Sequence, residues 1–103
     1  MIVKWSNIAL DNWSKIADYI FVKFGFVALQ KYEEQTLQWE NAILENPSIG
    51  TVEPLLQERK RSYRYVIIQR QTKLVYFIEN DIIVIANVWD TRCEPKGLIN
   101  ETL

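Results

Sequence analysis

Positive charge is concentrated in one short stretch of this sequence, where Arg59, Lys60, Arg61, Arg64, Arg70 and Lys73 follow one another with only Glu58 opposing them nearby. Guanidinium and ammonium groups at this density bind phosphate or carboxylate, and when held rigidly beside a phosphodiester they stabilise the charge that develops as it reacts. Arg92 adds a later cation. A run of charges is also, more often than not, a solvated surface. Other chemistries lack their parts. The chain has no histidine and one cysteine, Cys93, so the commonest acid–base group and metal ligand is missing. The Cys93 thiol has Arg92 beside it but no imidazole to activate it, which argues against a thiol nucleophile. We expect neither a metal nor any other cofactor.

Twelve Lys and Arg against thirteen Asp and Glu give a formal charge of −1. No global field draws the chain to polyanions, and any RNA contact must rest on the local patch. The length of 103 residues suits one core of two or three layers, so we read residues 1–103 as a single domain. Four Trp, five Tyr and four Phe are a heavy aromatic load for that length, which belongs in a core or on a binding surface. No apolar run approaches the roughly 18 residues of a membrane span. The start, Met1 to Trp5, lacks a basic segment followed by an apolar signal core, and one cysteine cannot form an internal disulfide. The expected location is cytoplasmic, with no membrane contact.

The elements that must position these groups follow from periodicity. Residues 2–5 are short and β-prone, and Ser6 is suited to cap a helix. Ile8, Trp13, Ile16, Ala17, Ile20, Phe21 and Phe24 then recur every three or four residues as one apolar stripe, with Asp11, Lys15, Asp18 and Lys23 off it. Gly25 suits a left-handed cap, and Leu29, Tyr32, Thr36, Trp39 and Ile43 mark a second stripe that must stop near Asn46-Pro47. The two helices should form an antiparallel hairpin. Three β-branched and aromatic runs at 63–70, 73–79 and 82–90 read as a meander, joined through Arg70-Gln71-Thr72 and through Asn80-Asp81. The expected fold is α+β in the order β-α-α-β-β-β, a helical hairpin on a small antiparallel sheet.

The meander contains Tyr63-Arg64-Tyr65-Val66-Ile67-Ile68, then Lys73-Leu74-Val75-Tyr76, then Ile85-Ala86-Asn87-Val88-Trp89-Asp90-Thr91-Arg92, with Pro95 just beyond. Upstream stand Trp5-Ser6, Ile16, Tyr19-Ile20, Pro47, Gly50 and Pro54-Leu55. In this order and spacing the chain resembles, over nearly its whole length, the RelE/ParE superfamily of toxins from bacterial type II toxin–antitoxin pairs. The resemblance implies a small cytoplasmic protein, of a kind that serves plasmid stabilisation, neutralised by a cognate antitoxin. Some members cut mRNA on the ribosome, and others poison DNA gyrase without being nucleases. The nucleases use Lys and Arg on the open sheet face, which by this resemblance makes Arg64, Lys73 and Arg92 the catalytic or target-binding positions. A second basic position, two residues after Arg64, is Val66 here, and the tail Cys93 to Leu98 lacks the terminal Tyr or His of the nucleases.

Side chains alternate along a strand, and two-residue turns pair even positions with odd ones. One face should then carry Arg64, Val66, Ile68, Lys73, Val75, Phe77, Val84, Ala86 and Val88, and the other Tyr63, Tyr65, Ile67, Leu74, Tyr76, Ile78, Ile83, Ile85 and Trp89. Both faces are apolar, and one helical hairpin covers only one of them. We expect an antitoxin to bury the face bearing Val66, Ile68, Val75, Phe77, Val84 and Val88; a homodimer, or one helix on each face, are the alternatives. On that face Arg64 lies opposite Phe77 or Glu79, roughly 13–20 Å from Lys73 at about 3.3 Å per residue, too far for the pair to clamp one phosphate. Ordinary roles would be an ion pair from Arg64 to Glu79 or Asp90, and a solvated strand end for Lys73. The function expected is therefore a growth-inhibiting, ParE-like toxin that binds a cellular target, with DNA gyrase as the target the resemblance implies, and not an enzyme. The open alternatives are a ribosome-dependent mRNA endonuclease and an inactive remnant or protein-interaction module.

Overall fold

The first strand, β1 (Ile2–Trp5), passes straight into α1 (Asn7–Phe24) because Ser6 serves both. Its backbone N–H donates to the Ile85 carbonyl at 2.9 Å, while its hydroxyl accepts from the Ala9 N–H at 3.1 Å. The hydroxyl thereby satisfies one of the donors that a helix start leaves free. The structure is a computed structural model and describes residues 1–93 and 95–102; Glu94 and Leu103 lie outside them. Gly25, at φ 91° and ψ −175°, is the single residue between α1 and α2 (Phe26–Glu45). The expected positive φ is present, but ψ is extended rather than left-handed helical, a conformation open essentially to glycine alone. The second helix ends at Asn46, ahead of Pro47.

The remaining elements are β2 (Thr51–Val52), a 3₁₀ turn at Pro54–Leu56, β3 (Arg64–Ile68), β4 (Thr72–Glu79), β5 (Ile82–Asp90) and α3 (Pro95–Glu101). They form one sheet in the order β1-β5-β4-β3-β2, antiparallel except where β1 runs parallel to β5. The expected α+β class, hairpin and meander are present. The two-residue β2 and the C-terminal α3 are additions that periodicity did not reveal. No helix among the described residues is long and apolar enough to cross a membrane.

Two features of register overturn the expected sorting of faces. Ile68 pairs with Thr72 and Val66 with Leu74, so even positions meet even ones across β3 and β4, with Gln69 and Arg70 at positive φ in the turn. The Asn80-Asp81 turn behaves as expected, with φ of 51° and 62°, but a β-bulge follows: Tyr76 pairs with Ile85 and Val75 with Asn87. Ala86 is the extra residue, and alternation in β5 flips beyond it. Val66, Ile68 and Val88 consequently lie with Leu74, Tyr76, Ile83 and Ile85 beneath the helical hairpin. Val75, Phe77 and Val84 lie on the other face with Tyr63, Ala86 and Trp89. The six apolar residues expected to share one antitoxin surface are divided between two faces. All but Val84 are buried within the chain itself.

The second face is covered by Leu56 of the 3₁₀ turn and by Leu98 and Ile99 of α3. One helical unit on each face describes this chain. Arg59 fastens α3 by donating to the carbonyls of Ile99 and Thr102, groups that the end of a helix leaves unpaired. Asn87, buried at the bulge, donates to the Thr102 hydroxyl at 3.0 Å and accepts from Asn12 of α1 at 2.8 Å. That side chain thus links both helical layers through the sheet.

The hairpin packs through Trp13, whose ring stacks on Tyr32 at 4.9 Å and whose Nε1 donates to Thr36, and through Trp39, whose Nε1 donates to the Ile67 carbonyl. Trp5 donates to Glu40 at 2.9 Å. Burial pushes the Glu40 carboxyl above the usual carboxylate range, and the Trp5 bond only partly opposes it. An acid raised in the fold favours folding while protonated, and that contribution is lost as pH rises through the folded value. Glu40→Gln retains an acceptor for Trp5 without the charge. The melting temperature should rise at neutral pH and stay unchanged in acid; a lower value at neutral pH would show that the fold stabilises the carboxylate.

Candidate functional site

The three cations expected to act together occupy three separate settings. Arg64 donates from Nη1 to the Gly50 carbonyl at 2.8 Å and, more weakly, to that of Ser48 at 3.4 Å, which makes it a clamp on the loop after α2. The same loop is held from beneath by Tyr76, whose hydroxyl donates to the Pro47 carbonyl at 2.7 Å and accepts from Gly50 N–H at 3.0 Å. Lys73 places Nζ 2.7 Å from Oε2 of the buried Glu53 and 4.4 Å from the centroid of the Tyr65 ring. It is an ion-paired strut rather than a solvated strand end. Arg64 lies opposite Tyr76 and Lys73 opposite Ile67. The two therefore project to opposite faces, about 10 Å apart along the strand. The acids expected to pair with Arg64 are engaged elsewhere: Glu79 by Arg61 at 3.2 Å, and Asp90 by Arg92 at 2.7 Å.

The basic run likewise divides. Arg59 anchors α3, and Arg61 lies 4.4 Å over the Phe77 ring, where it frames a shallow recess with Lys60 and Arg64. Arg70 stands exposed in the β3–β4 turn, at the mouth of a larger groove.

That groove, of about 770 Å³, runs between the helical hairpin and the adjoining ends of β3, β4 and β5. Ile16, Ile20, Phe24, Val27 and Ala28 give it an apolar wall. Lys15, Lys31, Arg70 and Arg92 border it, and Asp90 is the one acid lining it among the described residues. Asp90 is itself occupied, since hydrogen bonding from Arg92 holds its carboxyl below the usual range. Tyr19 also lines the groove, with Lys23 5.5 Å and Arg92 5.8 Å from its ring centroid. Hydrogen bonding to Lys23 first, and then to Arg92, holds the phenol below its ordinary value. A chain of net charge −1 thus presents a locally basic, apolar-walled channel. Its volume and lining suit an amphipathic segment bearing carboxylates.

Sequence periodicity did not find this groove, because Lys15 and Lys31 stand on different helices and each reads alone as solvated. One signal was available. Phe21 and Phe24 prolong the apolar stripe of α1 past the point where the sheet can cover it, and both are exposed.

A family model described as the ParE toxin of the type II toxin–antitoxin system parDE matches residues 3–94. Among solved structures, a chain of the "Chromosomal ParDE TA system from P. aeruginosa" superposes with a TM-score of 0.69 at 18% identity, covering 87% of this chain and 95% of that one. No curated protein matches. The architecture is that of the RelE/ParE superfamily of α+β toxins. Within it, the chain belongs to the ParE toxin family of type II toxin–antitoxin systems, so a cognate antitoxin is its partner.

Proposed function

We propose that this toxin arrests growth in the cytoplasm by binding a protein target, DNA gyrase being the one the family implies, rather than by cleaving RNA. The observation that carries this reading is the Lys73–Glu53 ion pair at 2.7 Å. A ribonuclease centre needs cations free to meet a phosphate and a group to move protons. Lys73 is held by a buried carboxylate, Arg64 by loop carbonyls and Arg92 by Asp90. The experiment is induced expression without antitoxin, scoring growth, mapping RNA ends and assaying supercoiling by purified gyrase. Arrest with intact mRNA and blocked supercoiling is expected. Codon-linked cuts would make the protein a nuclease, and normal growth would make it a remnant or an interaction module.

The antitoxin, on this reading, lays an acidic amphipathic helix into the groove walled by Ile16, Ile20, Phe24 and Val27. The charge balance among the described lining residues supports this, with four bordering cations against one paired acid. Lys15→Glu combined with Lys31→Glu should weaken antitoxin binding by about 10-fold or more at low salt, with the deficit shrinking as salt screens the repulsion. Calorimetric titration at two ionic strengths checks this. Unchanged affinity at both would place the antitoxin elsewhere.

A further inference from the structure

The tip of the helical hairpin is apolar and unburied. From Asp18 through Lys31 no residue is buried, although this stretch includes Phe21, Val22, Phe24, Phe26 and Val27. Val22 is 85% exposed, Val27 64%, Phe24 62% and Phe26 60%. A one-residue connection at Gly25 leaves these side chains nowhere to fold back, and the rings of Tyr19 and Phe24 meet only edge to face, with centroids 6.3 Å apart. Large apolar side chains clustered at a rigid tip mark a contact surface.

We propose that this tip is the surface through which the toxin engages its target, and that the target presents an apolar cleft rimmed by carboxylates. The inference rests on the reading of the chain as a target-binding toxin. Charge selects the partner: from Asp18 through Lys31 the ionic side chains at neutral pH are Lys23 and Lys31 against Asp18 alone, a net positive charge. A second copy meeting tip to tip would bring like charges together, which disfavours self-association. Nucleic acid is bound chiefly through phosphate contacts, and a tip with two lysines among exposed phenylalanines and valines is poorly made for that. A convex apolar tip fits a protein cleft, where aromatic anchors supply most of the binding energy. Phe24 and Val27 belong both to the tip and to the groove wall. A helix seated in the groove therefore covers part of the docking surface, which makes antitoxin and target mutually exclusive.

The test uses Val22→Glu combined with Phe26→Glu, neither of which lines the groove. Because both positions are exposed, the melting temperature should hold, and antitoxin affinity should stay within about 3-fold, the range of a rim contact. Growth arrest should fall by about 100-fold in inducer-sensitive plating, as expected when two anchors of one interface are lost. Val22→Ser with Phe26→Ser, which adds no charge, should give a smaller loss in the same direction. Full toxicity of both variants, at matched protein levels, would overturn the proposal. So would a wild-type dimer in light scattering, or wild-type co-sedimentation with phosphatidylglycerol vesicles, that the Glu variant loses while staying toxic. A wild-type chain that leaves growth untouched would instead remove the underlying toxin reading.

Discussion

Lys73→Ala is expected to lower the free energy of unfolding by about 3–5 kcal/mol, the cost of stripping a buried ion of its partner. Glu53 is buried, its Oε1 accepts from the Leu55 N–H at 3.1 Å, and its Oε2 lies 2.7 Å from the Lys73 ammonium. Without that ammonium the carboxylate sits in a low-dielectric site with one backbone donor. The ammonium also lies over the Tyr65 ring at 4.4 Å, and the same substitution removes this attraction between cation and ring. Urea unfolding should show a lower midpoint with an unchanged slope. A midpoint equal to that of the wild type would mean that the pair is solvated.

Growth assays on the same variants separate structure from catalysis. Lys73→Ala would abolish toxicity on either reading, through misfolding or through loss of a catalytic cation. Lys73→Met combined with Glu53→Gln removes the buried charge together with its partner, an exchange that is often neutral in stability. If Lys73 is a strut, this double variant folds and arrests growth. If Lys73 meets phosphate, it folds and is inert.

The second large effect is expected at Gly97, in the middle of α3. A Cβ there would lie 2.6 Å from Cζ2 of Trp89 and against the adjoining ring carbon Cη2. Alanine in place of a helical glycine ordinarily gains roughly 0.5–1 kcal/mol. Forcing a methyl group into a packed indole costs about 1–3 kcal/mol, so the clash wins and Gly97→Ala should be destabilising. Valine at this position should be worse. Since α3 covers Val75, Phe77 and Ala86, its displacement should redden Trp89 fluorescence and create binding sites for an apolar dye. A higher melting temperature for the alanine variant, without dye binding, would show that Trp89 and α3 have room to move apart.

The local marks in the chain were legible because they act over one or two residues. Ser6 caps a helix with its own hydroxyl, Gly25 alone tolerates its backbone angles, Pro47 closes a helix, and Asn80-Asp81 turns a hairpin. The α+β class and the resemblance to a toxin family depended on such marks and on the order of the strands.

Facing was another matter, because alternation accumulates along a strand and a single extra residue reverses it. The odd-length connection from Ile68 to Thr72 and the bulge at Ala86 each made one such reversal. Arg64 and Lys73 came to opposite faces, Trp89 left the face of Tyr76, and the apolar set around Val66 was divided. By itself the sequence determined β1, the helical hairpin, the three strands of the meander and the Asn80-Asp81 turn, and that cations would gather near the sheet, whereas β2 and α3 left no periodic mark. Only the tertiary structure decided which cations are engaged and which remain available. Glu53 reaches Lys73 across twenty positions of sequence, and a partner at that distance is set by packing, which no local pattern encodes.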